Sequence, residues 1–144
     1  MRVVYLFFFI FILIHSKGEE LKDEKKNLYV TITNIKGNGI VRSGLYKPTD
    51  NFLKYTPIGY TADPKGNDSV TMTITNLDYG EYALVLFFDK NGDEKLNTKI
   101  FGIPTEPVGF SNNVKPFLTA PKFDRCKFIY NEQNNSIVIK LIYY

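Results

Sequence analysis

Histidine and cysteine are nearly absent from this chain. Its 144 residues include one histidine, His15, and one cysteine, Cys126. His15 sits at the end of an apolar leader, so everything downstream lacks imidazole. That removes Ser-His-Asp and Cys-His nucleophilic catalysis, both of which need an imidazole base. It also removes histidine-rich zinc sites and imidazole proton shuttles. A single cysteine makes no internal disulfide, and Cys126 reads as a small buried hydrophobe on a strand. Beyond the leader there is no apolar run near the roughly 20 residues that a membrane span takes. No internal repeat occurs, no Gly-rich phosphate loop follows a strand, and no window shows helical period. The formal charge is +3, from 18 basic and 15 acidic residues that are interspersed. No basic stripe forms, so nucleic acid is not an expected partner.

What is present starts with a basic Arg2 and 12 apolar residues, Val3 to Ile14, followed by the small residues Ser16 and Gly18. This is the pattern of a secretory signal peptide, expected over residues 1–18 and expected to be removed. Residues 19–27 carry the mixed-charge run Lys22 to Lys26 and read as a solvated tether. Residues 28–144 are long enough for one domain with its own core. No membrane span is expected once the leader is gone, and a monomer is expected.

The domain reads as all-β. Leu28, Val30 and Ile32 alternate with Tyr29, Thr31 and Thr33, the period-two pattern of a strand with one buried face. Asn34 to Gly39 reads as a turn and Ile40 to Tyr46 as a strand, which suggests a hairpin. A weak strand is expected around Ile58 to Ala62 and a strong turn at Asp63 to Asp68. Val70, Met72 and Ile74 give the cleanest alternation. Ala83 to Phe88 is apolar on both faces and should be central. Leu77 to Tyr82 fits either a tyrosine corner, with the Tyr82 hydroxyl bonded to backbone upstream, or an ordinary core tyrosine. Arg125 to Tyr130 and Ile137 to Tyr143 suggest a last hairpin. About seven short strands point to a two-sheet sandwich, immunoglobulin-like or transthyretin-like.

Residues 89–113 form the candidate site. Asp89, Asn91, Asp93 and Asn97, with the Lys95 carbonyl, fall at positions one, three, five, nine and seven of a calcium-type loop. Alternate residues of a tight loop can aim several oxygens inward, as a hard cation requires. An EF-hand is excluded: Glu94 stands where that loop needs glycine, Ile100 where it needs a bidentate glutamate, and flanking helices are missing. The alternatives are a weak calcium site completed by Glu106 or Asp124, or an Asx-rich turn capping its own backbone with no cofactor. Phe101 to Phe117 is a long Gly- and Pro-rich loop that Phe101, Phe110 and Phe117 are expected to pin to the sandwich. Within it Glu106, Phe110, Ser111, Asn112 and Asn113 are candidates for a polar or glycan ligand, or for loop bracing.

Five segments together resemble the bacterial family known as domain of unknown function 2141. They are Gly39 to Tyr46 (GIVRSGLY), Leu77 to Tyr82 (LDYGEY), Phe87 to Asn97 (FFDKNGDEKLN), Phe101 to Asn113 (FGIPTEPVGFSNN) and Ala120 to Phe123 (APKF). The resemblance spans roughly Leu28 to Leu141. It implies a β-sandwich and export to the periplasm or beyond, and it implies no activity. The family's loop usually reads Asn-Gly-Asn-Gly-Lys-Leu-Asp; here Gly92 is followed by Asp93 and Glu94, and the loop closes on Asn97, which weakens a cation site. The expected function is therefore a non-catalytic binding or structural module of the bacterial envelope, with a polar or glycan ligand or an envelope protein as partner. Two alternatives are a carbohydrate hydrolase with a carboxylate pair drawn from Asp89, Asp93, Glu106 and Asp124, and an accessory subunit that docks through a sheet edge or an aromatic patch such as Tyr143-Tyr144.

Overall fold

The computed structural model describes residues 26–54, 59–117 and 119–144. The expected leader, and the tether up to residue 25, lie outside the described residues. The strands are β1 (Leu28–Thr33), β2 (Ile40–Tyr46), β3 (Gly59–Ala62), β4 (Ser69–Ile74), β5 (Gly80–Asp89), β6 (Val108–Phe110), β7 (Phe128–Tyr130) and β8 (Ser136–Lys140), with one turn of α-helix, α1 (Phe123–Cys126). Eight strands are thus described where about seven were expected.

The fold is all-β and built of two sheets. One has the order β4-β1-β8, the other β3-β2-β5-β6, with β7 also pairing β5. Leu28, Val30, Ile32, Met72, Ile74 and Ile139 from the first sheet meet Val41, Leu45, Tyr82, Leu84, Leu86 and Phe88 from the second in one buried core. Their period-two spacing makes this possible, because every second side chain of a strand faces the same way. Each fully buried Leu or Phe contributes about 1.5–3 kcal/mol.

β5 is central, as its two apolar faces require. Tyr82, Leu84, Leu86 and Phe88 enter the main core. Ala83, Val85 and Phe87 point the other way, into a second cluster with Val108, Phe110, Val114 and Cys126. The tyrosine corner is present: the Tyr82 hydroxyl donates to the Asp78 carbonyl at 2.9 Å. Cys126 is buried on α1, and burial pushes its thiol up to about 11.

Both expected hairpins are corrected. β1 pairs antiparallel with β4 and parallel with β8, never with β2. β2 pairs with β3 and β5. β7 pairs with β5. The connections switch sheets instead. The six residues 34–39 reach up to about 20 Å when extended, more than the roughly 10 Å between stacked sheets. A turn signature of that length therefore fits a crossing as well as a hairpin. Arg125 and Cys126 belong to α1, not to a strand.

Beyond β8 the chain returns to the second sheet. Ile142 and Val108 exchange backbone hydrogen bonds at 2.8 and 3.1 Å. Gly109 allows the close approach: a Cβ there would lie 2.7 Å from Ile139 Cγ2 and 2.8 Å from Leu86 Cδ1.

Candidate functional site

The site begins at the end of β5. Period-two alternation puts Phe88 in the core and Asp89 on the opposite face, with Phe87. In the antiparallel register Arg42 faces Phe87 and Ile40 faces Asp89. Arg42 and Asp89 are therefore diagonal neighbours on one face, within reach of a long side chain. The Arg42 guanidinium donates from Nε to Asp89 Oδ2 at 2.7 Å, and from its terminal nitrogen to Glu94 Oε1 at 3.0 Å. Gly39 makes room, since any Cβ there would sit 2.5 Å from the Asp89 carbonyl oxygen.

Asp89 is 1% exposed. Its carboxylate also accepts from the backbone N–H of Gly92 at 2.7 Å and of Glu94 at 3.1 Å. Burial pushes this carboxyl up, but the Arg42 hydrogen bond and the two backbone amides outweigh it, and Asp89 lies below the ordinary carboxylate value. Arg42 is raised, chiefly by its hydrogen bond to Asp89. Glu106 is buried as well and staples the two ends of the loop. It accepts from the Lys90 N–H at 3.0 Å and from the Asn97 N–H at 3.3 Å.

The exposed part of the loop is tied by its own side chains. Asn91 Oδ1 accepts from the Asp93 N–H at 3.1 Å. Asp93 accepts from the Lys95 N–H at 3.0 Å and from the side-chain amides of Asn91 at 3.1 Å and Asn97 at 2.8 Å. The Asn97 bond is the main cause of a lowered Asp93 carboxyl. An aspartate at position 97 has no such donor. The Lys95 carbonyl accepts from Asn97 Nδ2 at 3.3 Å. Among the described residues no three His, Cys, Asp or Glu side chains converge as metal ligands. Asp124 sits on α1 and pairs with Lys127 at 3.3 Å, apart from the loop.

Of the five ligand candidates, only Glu106 is part of this arrangement. Phe110 packs into the second cluster under β5. Ser111 is fully buried; its hydroxyl accepts from the Leu84 N–H at 2.9 Å and donates to the Cys126 carbonyl. Asn112 donates to the carbonyls of Arg125 at 3.2 Å and Lys127 at 2.8 Å. Asn113 imitates a strand: its amide donates to the Val138 carbonyl at 3.0 Å and its oxygen accepts from the Lys140 N–H at 2.8 Å. This group lies beside Leu84, five residues up β5 from Asp89, or about 16 Å at strand spacing. The 89–113 segment therefore divides into two places.

Between them the chain forms a short hairpin. The Thr105 N–H bonds the Asn97 carbonyl at 2.8 Å, the Lys99 N–H bonds the Ile103 carbonyl at 2.7 Å, and Thr98 bridges Pro104. A tight turn, Ile100–Gly102, closes it. Residues 98–103 are all exposed, with Ile100 at 79% and Phe101 at 96%. Phe101 has φ +66°, in the left-handed region that an aromatic residue seldom adopts. The expectation that Phe101 and Phe117 pin the loop is corrected: both are exposed, and only Phe110 is buried. The turn decides this for Phe101, because its backbone turns the ring away from the sandwich. Arg42, which positions the loop, was not among the candidates. The signal for it was a lone arginine among the apolar and small residues of GIVRSGLY.

Sheet architecture and site together define a two-sheet β module with a braced acidic loop and a projecting hairpin. Residues 30–138 match the family described as an uncharacterized protein conserved in bacteria, DUF2141, and the chain belongs to that family. No curated protein and no solved structure matches it.

Proposed function

We propose that this protein is an exported module of the bacterial envelope, periplasmic or secreted, that binds rather than catalyses, and that the binding element is the hairpin of residues 95–104. The observation carrying this reading is Phe101, 96% exposed on a left-handed backbone. Both features cost stability, and strain of this kind accumulates where a function requires it. The basic, apolar N-terminus supports export. The bracing supports display: Asp89, Glu106 and Arg42 hold the base of the hairpin through internal bonds. Carboxylates engaged in this way are poor candidates for a hydrolytic pair, which must reach substrate and water. The same donors, with the fixed charge of Arg42, already engage the carboxylate oxygens of Asp89 and Glu106, which favours the self-capped turn over a calcium site. Glycan binding through Ser111, Asn112 and Asn113 would require breaking bonds that hold α1 and β8.

The test is Phe101→Ser in the full chain. Substituting an exposed side chain should change folding stability by no more than about 0.5 kcal/mol. Cell fractionation should show wild type associated with the envelope and the variant shifted to the soluble exported fraction. Identical distribution of the two would refute the display reading.

A further inference from the structure

We infer that the hairpin tip seats in the surface of an anionic lipid bilayer, with Ile100, Phe101 and Ile103 entering the boundary of headgroups and acyl chains. This rests on the display reading above and names the partner.

Shape comes first. Each residue from Thr98 to Ile103 is exposed, and a Cβ placed on Gly102 would meet nothing within 4 Å. A protein partner of ordinary affinity needs about 800 Å² of surface from each side. A narrow apolar prong offers much less, but a bilayer has no fixed shape to match. Chemistry comes second. Phe101 and Ile100 are 96% and 79% exposed, and Ile103 stands beside them at 45%. Aromatic and aliphatic side chains at such a tip suit the apolar side of the lipid interface.

Charge comes third. From Lys95 to Thr105 the hairpin carries two lysines, Lys95 and Lys99, and no acidic residue. Neither lysine is engaged in an ion pair among the described residues. Of the acids at the base, Glu94 pairs with Arg42, while Asp93 accepts from the amides of Asn91 and Asn97 and lies in the field of Lys95, which leaves Lys99 as the cation nearest the tip. Two ammonium groups thus stand on the arm that leads into the apolar tip, Lys99 directly beside Ile100, where anionic headgroups would meet them. Among the described residues no helix is long and apolar enough to cross a membrane.

The chain contains no tryptophan, which makes Phe101→Trp a local reporter. It distinguishes tip insertion from any attachment through the N-terminus. The control is Tyr79→Trp, a half-exposed site beside the opposite end of β5. The probes are vesicles of phosphatidylcholine alone and of phosphatidylcholine with phosphatidylglycerol. Expected is a blue shift in the indole emission of the Phe101→Trp variant with anionic vesicles only, and none in the Tyr79→Trp variant. Raising salt from about 0.1 M to about 0.5 M should weaken the effect, since the screening length then falls from about 10 Å to about 4 Å. Each lysine near such a surface is worth about fivefold in affinity, so Lys95→Glu with Lys99→Glu should lower binding at least about 25-fold. An equal shift with neutral vesicles overturns the anionic-surface assignment. No shift with either overturns insertion. In that event fractionation separates the two proposals: if Phe101→Ser still leaves the envelope, the tip binds a protein there, and if it stays, the display reading falls too.

Discussion

Replacing Ser111 by alanine removes one oxygen from the interior and should cost more stability than most single changes. β6 ends at Phe110, paired with Val85, so the ladder cannot supply a partner for the next free N–H of β5. The Ser111 hydroxyl supplies it, accepting from the Leu84 N–H at 2.9 Å while donating to the Cys126 carbonyl. Leu84 and Ser111 are both 0% exposed, so water does not reach the vacated position from the surface. A buried donor left without an acceptor costs about 1–3 kcal/mol. The Cys126 carbonyl loses its donor as well, and the combined loss is about 2–4 kcal/mol. For a domain of this size that lowers the melting temperature by roughly 8–16 °C. Urea denaturation should show a lower midpoint with an unchanged slope, the signature of a stability change alone. Ser69→Ala is the comparison: its hydroxyl is exposed and bonds only Asp68, at 3.2 Å, and its loss should stay below about 1 kcal/mol. A loss under about 0.5 kcal/mol for Ser111→Ala would refute the reasoning and leave the hydroxyl free to serve a ligand.

Gly109→Ala should cost about 1–3 kcal/mol, because its new methyl would overlap Ile139 and Leu86. Combining it with Leu86→Ala, which vacates the space, should cost less than the sum of the two single changes in denaturant melts. Asp89 is held below the ordinary carboxylate value, so its contribution is complete above the unfolded pKa of about 3.9 and is lost as pH falls through the lower folded value. Acid unfolding of wild type should therefore steepen below about pH 4, and Asp89→Asn should flatten that part of the curve. Thermal melts of wild type in about 10 mM calcium and in chelator should coincide, whereas extracellular sites with dissociation constants of about 10⁻⁴–10⁻³ M would separate them. Asn97→Asp replaces the donor to Asp93 by a third carboxylate oxygen pair, and is the variant in which calcium should raise the melting temperature.

The sequence by itself determined most of the strands, though β6 lies in what reads as a loop and Arg125 and Cys126 belong to α1 where a strand was expected. Alternation in Leu28 to Thr33 and in Val70 to Thr75 is local, and local patterning is enough to say which face of a strand is buried. The sequence left Tyr82 open between a corner and an ordinary core tyrosine until the bond to the Asp78 carbonyl decided it, but it likewise determined that β5 is central, since both its faces are apolar. The loop from Asp89 to Asn97 was legible as oxygen-rich for the same reason. Tertiary structure alone decided the pairing. β1 lies beside β8, more than 100 residues later, because the six-residue link after β1 crosses between sheets, and no local pattern separates a crossing from a hairpin. It also decided what the oxygens do. Asp89 reads as a possible ligand until the register of β2 brings Arg42 beside it, and Glu106 until β6 draws it under Lys90 and Asn97. Phe101 and Phe110 are the same residue type nine positions apart. One is exposed and one buried because a left-handed turn directs the first outward while strand pairing with Val85 holds the second against the sheet. Side-chain chemistry is written residue by residue, but a partner's position is set by chain segments far away, and that is information only the folded molecule contains.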